Sequence, residues 1–127
     1  MEDFSLSNSL SQGYWRTSGG KDTQDQVFLL SYAEANKYLG VTYKDSRNEK
    51  ARTSPTAYAA AHGAESSSTI LTDEGQGVGI WWLRSPGLNE QSAAHVHNGG
   101  SLYYRGVSSL SLMVRPAIVL DLSSDIF

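Results

Sequence analysis

Cysteine is absent from the 127 residues. Its absence excludes a disulfide framework, a thiol nucleophile, an iron–sulfur cluster and cysteine-ligated zinc. No apolar run approaches the about 20 residues that a bilayer-spanning helix needs. The opening Met1-Glu-Asp-Phe-Ser-Leu-Ser has neither a basic region nor a long apolar stretch, so no secretory signal is expected from it. Lysine occurs only at Lys21, Lys37, Lys44 and Lys50, and the net charge is −3. A chain so poor in positive charge does not read as a nucleic-acid binder driven by phosphate neutralisation. Acidic residues are missing altogether from 91–120. The first half of the chain is therefore charged, and the second half is polar but nearly uncharged.

What is present is one domain's worth of chain, rich in serine and glycine. The composition and patterning divide it into a polar N-terminal segment (1–25), a domain (26–120) and a polar C-terminal tail (121–127). Val27-Phe-Leu-Leu30 is long enough for one buried strand. Ser31-Tyr-Ala-Glu34 has the spacing of a capping box, in which serine and glutamate satisfy each other's backbone amides. The helix it opens should run to Leu39 and stop at Gly40, burying Tyr32, Ala35, Tyr38 and Leu39 on one face. Ser54-Pro55 is expected to open a second helix that runs to His62 and ends at Gly63. Residues 64–79 read as a Ser/Gly-rich loop. Ile80-Trp-Trp-Leu83 is the strongest strand pattern, apolar on both faces and so expected to be central. Ala94-His-Val96, Leu102-Tyr-Tyr104 and Val107 follow as short pieces separated by Gly99-Gly100 and Gly106. The last strand is expected over Met113–Leu120, with Pro116 forcing an edge or a bulge. The fold class expected is α+β: two short helices, then a small antiparallel meander.

Few residues carry obvious chemistry. His95 and His97 alternate as strand neighbours do, so both imidazoles project to one face and could share a metal. A hydrolytic metal site needs a third ligand, and 91–120 offers no carboxylate; two polar side chains on a strand face are the simpler reading. Gly75-Gln-Gly-Val-Gly79 precedes a strand rather than a helix, which suits a flexible loop and not a phosphate cradle. Ser85 lacks an evident base and acid and reads as a turn serine. Arg84 and Arg115 sit in apolar settings, where arginine fixes loop carbonyls or pairs with a carboxylate. The stretch 88–112 is dominated by Tyr, Ser, Gly, Asn and His, the palette of an antibody paratope.

Trp81-Trp-Leu-Arg-Ser-Pro-Gly87, Ala93-Ala94, Val96, Gly100, Val107 and Val114-Arg-Pro-Ala117, with Val27-Phe-Leu-Leu-Ser-Tyr-Ala-Glu34 upstream, form a spaced pattern over residues 26–120. It resembles a family of domains common in gut Firmicutes and their phages, related in appearance to the C-type-lectin-like and formylglycine-generating-enzyme fold. Several members resemble the variable proteins of diversity-generating retroelements. The resemblance implies a C-type-lectin-like scaffold that displays a hypervariable, non-enzymatic ligand-binding face. The variable positions it implies are Asn89, His95, His97, Asn98, Ser101, Tyr103, Tyr104, Ser108, Ser109 and Ser111. The framework it implies is Trp81, Trp82, Leu83, Ala93, Ala94, Val96, Val107, Val114 and Ala117. Adenine changes in the AAC and AAT codons of such cassettes never yield Glu, Lys, Gln, Met or Trp, and none of these occurs from Ser92 to Leu112. Met113 stands where the family usually has glycine. The sulfatase-activating chemistry of distant relatives needs cysteine, and calcium-dependent sugar binding needs clustered oxygen ligands.

The resulting expectation is a receptor- or adhesion-type module on a phage particle or bacterial surface, with a protein or cell-surface ligand and no cofactor or metal. It would neither bind nucleic acid nor insert in a membrane, and self-association would compensate for a short N-terminal segment. The rival expectations are a fixed-sequence assembly domain of a phage or surface protein and, less favoured, a His95/His97 metal-dependent hydrolase.

Overall fold

The computed structural model describes residues 4–6, 17–21 and 23–120. The expected tail, 121–127, and the tyrosine–tryptophan pair at 14–15 lie outside the described residues. The architecture is α+β: among the described residues there are two α-helices and three small antiparallel sheets. Strand β1 (Phe4–Leu6) pairs antiparallel with β2 (Thr23–Asp25) in a two-stranded sheet.

Helix α1 (Tyr32–Leu39) forms as its sequence dictates. The Ser31 hydroxyl accepts from the Glu34 amide at 3.1 Å, and the Glu34 carboxylate accepts from the Ser31 amide at 2.8 Å. Gly40 closes the helix in the left-handed conformation, φ 68°. Tyr32 and Ala35 are buried and Leu39 packs on the core, but Tyr38 is exposed. At about 100° per residue Tyr38 lies some 120° around the helix from Tyr32, off the buried stripe.

Helix α2 (Ala57–Ala61) is shorter than expected. Thr56, not Ser54, caps it, accepting from the Ala59 amide at 3.1 Å. The Ser54 hydroxyl is drawn instead to the Gln76 side-chain oxygen, 2.8 Å away. That contact belongs to a hairpin where a loop was expected: β3 (Ser66–Leu71) pairs with β4 (Gly77–Gly79). The Ser/Thr-rich β3 has no fully buried position, so no apolar alternation marks it in the sequence.

The site rests on the three-stranded sheet β5 (Trp81–Pro86), β6 (Ser92–Val96) and β7 (Leu102–Gly106), in that order. Its ladder has a row Trp81–Val96–Leu102 and, one residue on, a row Trp82–His95–Tyr103. Alternation sends these rows to opposite faces. The first row, with Leu83 and Ala94, joins Tyr32, Ala35, Val41, Ala51 and Met113 in the core. Although β5 ends the ladder, its far edge is covered: the Trp82 amide donates to Met113 O and the Arg84 amide to Leu30 O. β5 therefore does sit between partners on both sides. The expected strands at 27–30 and 113–120 shrink to single bridges, Phe28 with Ala117 and Trp81 with Met113.

The tip of the β6–β7 hairpin is buried against the loop 46–48, where the Asn48 amide donates to Gly99 O at 3.1 Å. Gly100 has φ 94°, and a Cβ there would lie 2.1 Å from Asn48 O. Only glycine meets both conditions.

Candidate functional site

The outer face of this sheet is a cluster of rings. Trp82, His95 and Tyr103 come from three adjacent strands in one row, with His97 beside them on β6. His95 meets Trp82 edge-on at 6.3 Å between centroids, His97 at 5.6 Å and Tyr103 at 6.1 Å. His97 and Tyr103 are 6.4 Å apart. Tyr103 also stacks on Tyr43, at 6.2 Å, and on Tyr104, at 5.1 Å. Tyr103 and Tyr43 are 46% and 42% exposed.

His95 departs from the outward, solvent-facing position expected of it. It is 0% exposed. The strand alternation does turn it to the outer face, but the surrounding rings cover it. Both its ring nitrogens, and Nδ1 of His97, are buried without a hydrogen-bond partner. Burial, and then the positive charge that His97 and Arg105 bring, push the His95 imidazole down to about 3. His97 is lowered too, by burial first and Arg105 second. Both rings are therefore neutral at pH 7, each with one donor and one acceptor nitrogen.

The other expected contact positions divide by place. Tyr104 is half-buried and pairs across the ladder with Ala94, so it packs against the core instead of facing outward. Asn98 and Ser101 are half-buried at the β6–β7 turn, where the His97 amide donates to Ser101 O. Asn89 and Ser108 are exposed at the opposite end; the Asn89 side chain accepts from the Gln91 amide and so shapes the β5–β6 turn. Ser109 and Ser111 are half-buried, and Ser111 O accepts from the Glu65 amide. Thus His95, His97 and Tyr103 come together, flanked by Asn98 and Ser101, while Asn89 and Ser108 lie about 17 Å away, one strand length.

Of the expected framework, Trp81, Leu83, Ala94 and Val96 are buried, and Trp82, Ala93 and Ala117 half-buried. Val107 and Val114 are exposed, at 59% and 62%. They follow the last regular strand, in segments with no second layer over them. Two participants escaped the sequence reading. Tyr43 sits in a charged loop with no periodicity to mark it, and Arg105 shows its relation to the histidines only through the ladder.

The remaining residues singled out for chemistry are structural. Ser85 is fully buried, and its hydroxyl accepts from the Tyr32 amide at 2.9 Å. Arg84 donates to Glu34 Oε1 at 2.5 Å and to Leu29 O at 2.7 Å. Burial alone would raise the Glu34 carboxyl, but Arg84 and Ser31 together hold it below its ordinary range. Arg115 lies over the Trp81 ring at 4.9 Å. Gly75 and Gly77 serve the β3–β4 hairpin, where a Cβ on Gly77 would lie 2.3 Å from Ser67 O. No group of three or more His, Asp or Glu placed to hold a metal occurs among the described residues. No helix among them is long and apolar enough to cross a membrane.

Fold and site together define a small α+β domain that carries an aromatic and imidazole face on a rigid sheet. The chain belongs to the family described as Domain of unknown function (DUF6273), whose profile matches residues 5–122. No curated protein and no solved structure matches it.

Proposed function

We propose that this domain is a non-enzymatic binding module of C-type-lectin-like type, and that the outer side of β6 and β7 with its flanking turns is the contact surface. The observation that carries the reading is the Tyr43–Tyr103 stack, both rings nearly half exposed on the back of a sheet whose front is core. Exposed tyrosines on a rigid support supply large amphipathic area at low entropic cost, which is how paratopes gain affinity. The spread of polar positions over about 17 Å, from Asn98 and Ser101 to Asn89 and Ser108, suits a macromolecular ligand better than a small one. Ser85 is committed to a backbone amide, which also favours binding over catalysis.

The module's outward side chains differ between copies of its gene, as the resemblance to retroelement-diversified proteins implies. His95 belongs to the floor and is held constant. The test is to sequence sibling copies from one population, together with the DNA beside them. Substitutions concentrated at Asn89, His97, Asn98, Ser101, Tyr103, Ser108, Ser109 and Ser111, with a near-duplicate template and a reverse transcriptase nearby, are expected. Substitutions spread evenly over the chain, or invariance at these positions, would replace the reading with that of a fixed-sequence assembly domain.

A further inference from the structure

We infer a second binding site, separate from the outer sheet face, for an aliphatic monocarboxylate. Arg115 holds the carboxylate, and an apolar groove between α1 and two neighbouring segments holds the chain. The groove is about 450 Å³ in volume, within the range of small-ligand clefts. Its walls come from α1, residues 28–30 and residues 115–119. Phe28 and Ala117 exchange two backbone hydrogen bonds, at 3.0 and 2.7 Å, which ties the two segments together. Pro116 has no amide to donate, so this wall is an irregular segment with a single bridge and not a ladder. Phe28, Leu30, Leu39, Ile118 and Val119 make the walls apolar, and Ile118 and Val119 remain 49% and 39% exposed.

The charges around the groove do not balance. Glu34 is the one carboxylate among its described lining residues, and it is committed to Arg84 at 2.5 Å and to the Ser31 amide at 2.8 Å. Arg115 has no such partner among the described residues. Its guanidinium lies over the Trp81 ring at 4.9 Å, a contact that supports the core but leaves the charge unanswered, and its Nη1 is buried without a hydrogen bond. Burial lowers its proton affinity and yet leaves it charged. Lys37 adds a further cation at the rim, over the ring of Tyr38 at 5.2 Å. Positive charge thus stands in excess beside apolar walls. A partly desolvated guanidinium without a counter-charge is costly, and a carboxylate is its planar, two-pronged complement. The walls select the rest of the ligand. An acyl chain suits them, whereas a peptide would bring amides that their side chains leave unpaired. Free phosphate would answer the cation but not the apolar walls.

The test is titration of the purified protein with octanoate at neutral pH, followed by calorimetry and by amide NMR. Saturable one-to-one binding is expected, with the largest shifts at Phe28, Leu30, Ala117 and Val119. Hexanoate, two methylenes shorter, should bind roughly fifteenfold more weakly, about fourfold per methylene. 1-Octanol keeps the chain and lacks the charge, and it should bind at least tenfold more weakly than octanoate. Arg115→Gln should abolish that preference for the acid over the alcohol, a readout that a merely structural arginine would not move. Should Arg115→Gln fail to fold, Val119→Asp carries the same test: it sets a negative charge on an exposed wall, so octanoate should weaken at least tenfold while the alcohol changes less. His62→Ala, exposed at the end of α2, should bind as the wild type does. Absence of saturation, equal affinity for acid and alcohol in the wild type, or shifts centred on the outer sheet face would each overturn the assignment. So would a dimer formed through these residues, seen by sedimentation, that octanoate does not displace; a second copy would then be the occupant.

Discussion

The two faces of the β5–β6–β7 sheet are cut from the same strands, one residue out of step, and they solve opposite problems. On the inner face the polar groups of the strand itself are paired: the Trp81 indole donates to Ala51 O at 3.0 Å, and the Ser85 hydroxyl accepts from the Tyr32 amide. Trp81, Val96 and Leu102 are all 0% exposed there. On the outer face a histidine is equally buried, yet neither of its nitrogens is satisfied. The inner face stabilises the fold. The outer face carries a buried polar ring without a protein partner, an arrangement that costs stability where the inner face gains it.

The sharpest contrast should come from the adjacent tryptophans. Trp81→Ala removes a fully buried ring and strands the Ala51 carbonyl, so a loss of about 3–5 kcal/mol in urea unfolding is expected. Trp82→Ala, at a half-buried outer position, should cost clearly less. Equal losses would mean that both faces are core. Arg84→Ala, which frees Leu29 O and Glu34 together, should cost about 2–3 kcal/mol. A double-mutant cycle with Glu34→Gln measures how much of this is the ion pair.

Above the carboxylate range the pH dependence probes the outer face. An unfolded histidine binds its proton near 6.5, whereas folded His95 takes one only near 3. Between these values the unfolded chain holds more protons, so stability falls as pH falls, by up to about 1.4 kcal/mol per unit. His97, also lowered, adds in the same direction. Glu34, held below its ordinary value of 4.5, adds to the fall in the lower part of this window, losing its contribution as pH drops from that value through its lowered one. In His95→Leu the slope between pH 6 and 4 should flatten while neutral-pH stability holds or rises, because two unpaired nitrogens are removed. An unchanged slope would place the titration elsewhere. The smallest effect is expected at Tyr103→Ala, within about 1 kcal/mol of wild type by thermal unfolding. A larger loss would show that the exposed tyrosine stack is structural and not available for contact.

Where the sequence could be read, local chemistry sufficed. The Ser31–Glu34 capping box and the Gly40 stop define α1 within the stretch from Ser31 to Gly40, and the structure reproduces both. The apolar run at 80–83 is embedded between partners for the reason its composition gives. Where reading failed, the deciding partner lay far away in the chain. Ser54 was a reasonable cap until Gln76, 22 residues on, took its hydroxyl. Strand β3 shows no burial pattern because its pairing with β4, and not an apolar face, makes it a strand.

The candidate site divides in the same way. The alternation of His95 and His97, and the tyrosine-rich character of β7, belong to the sequence and place these residues on one sheet. Their burial does not. Period-two alternation tells which face a side chain takes but not what covers that face. Trp82 and Tyr103 come to His95 through cross-strand pairing, Arg105 through the same ladder, and Tyr43 through a loop some 60 residues upstream of Tyr103. The sequence by itself determined the caps of α1, the embedded tryptophan strand and the α+β class, because each depends on neighbours within a turn or a strand. Only the tertiary structure decided that His95 is a buried floor, because its environment is assembled from three strands whose register no local pattern encodes.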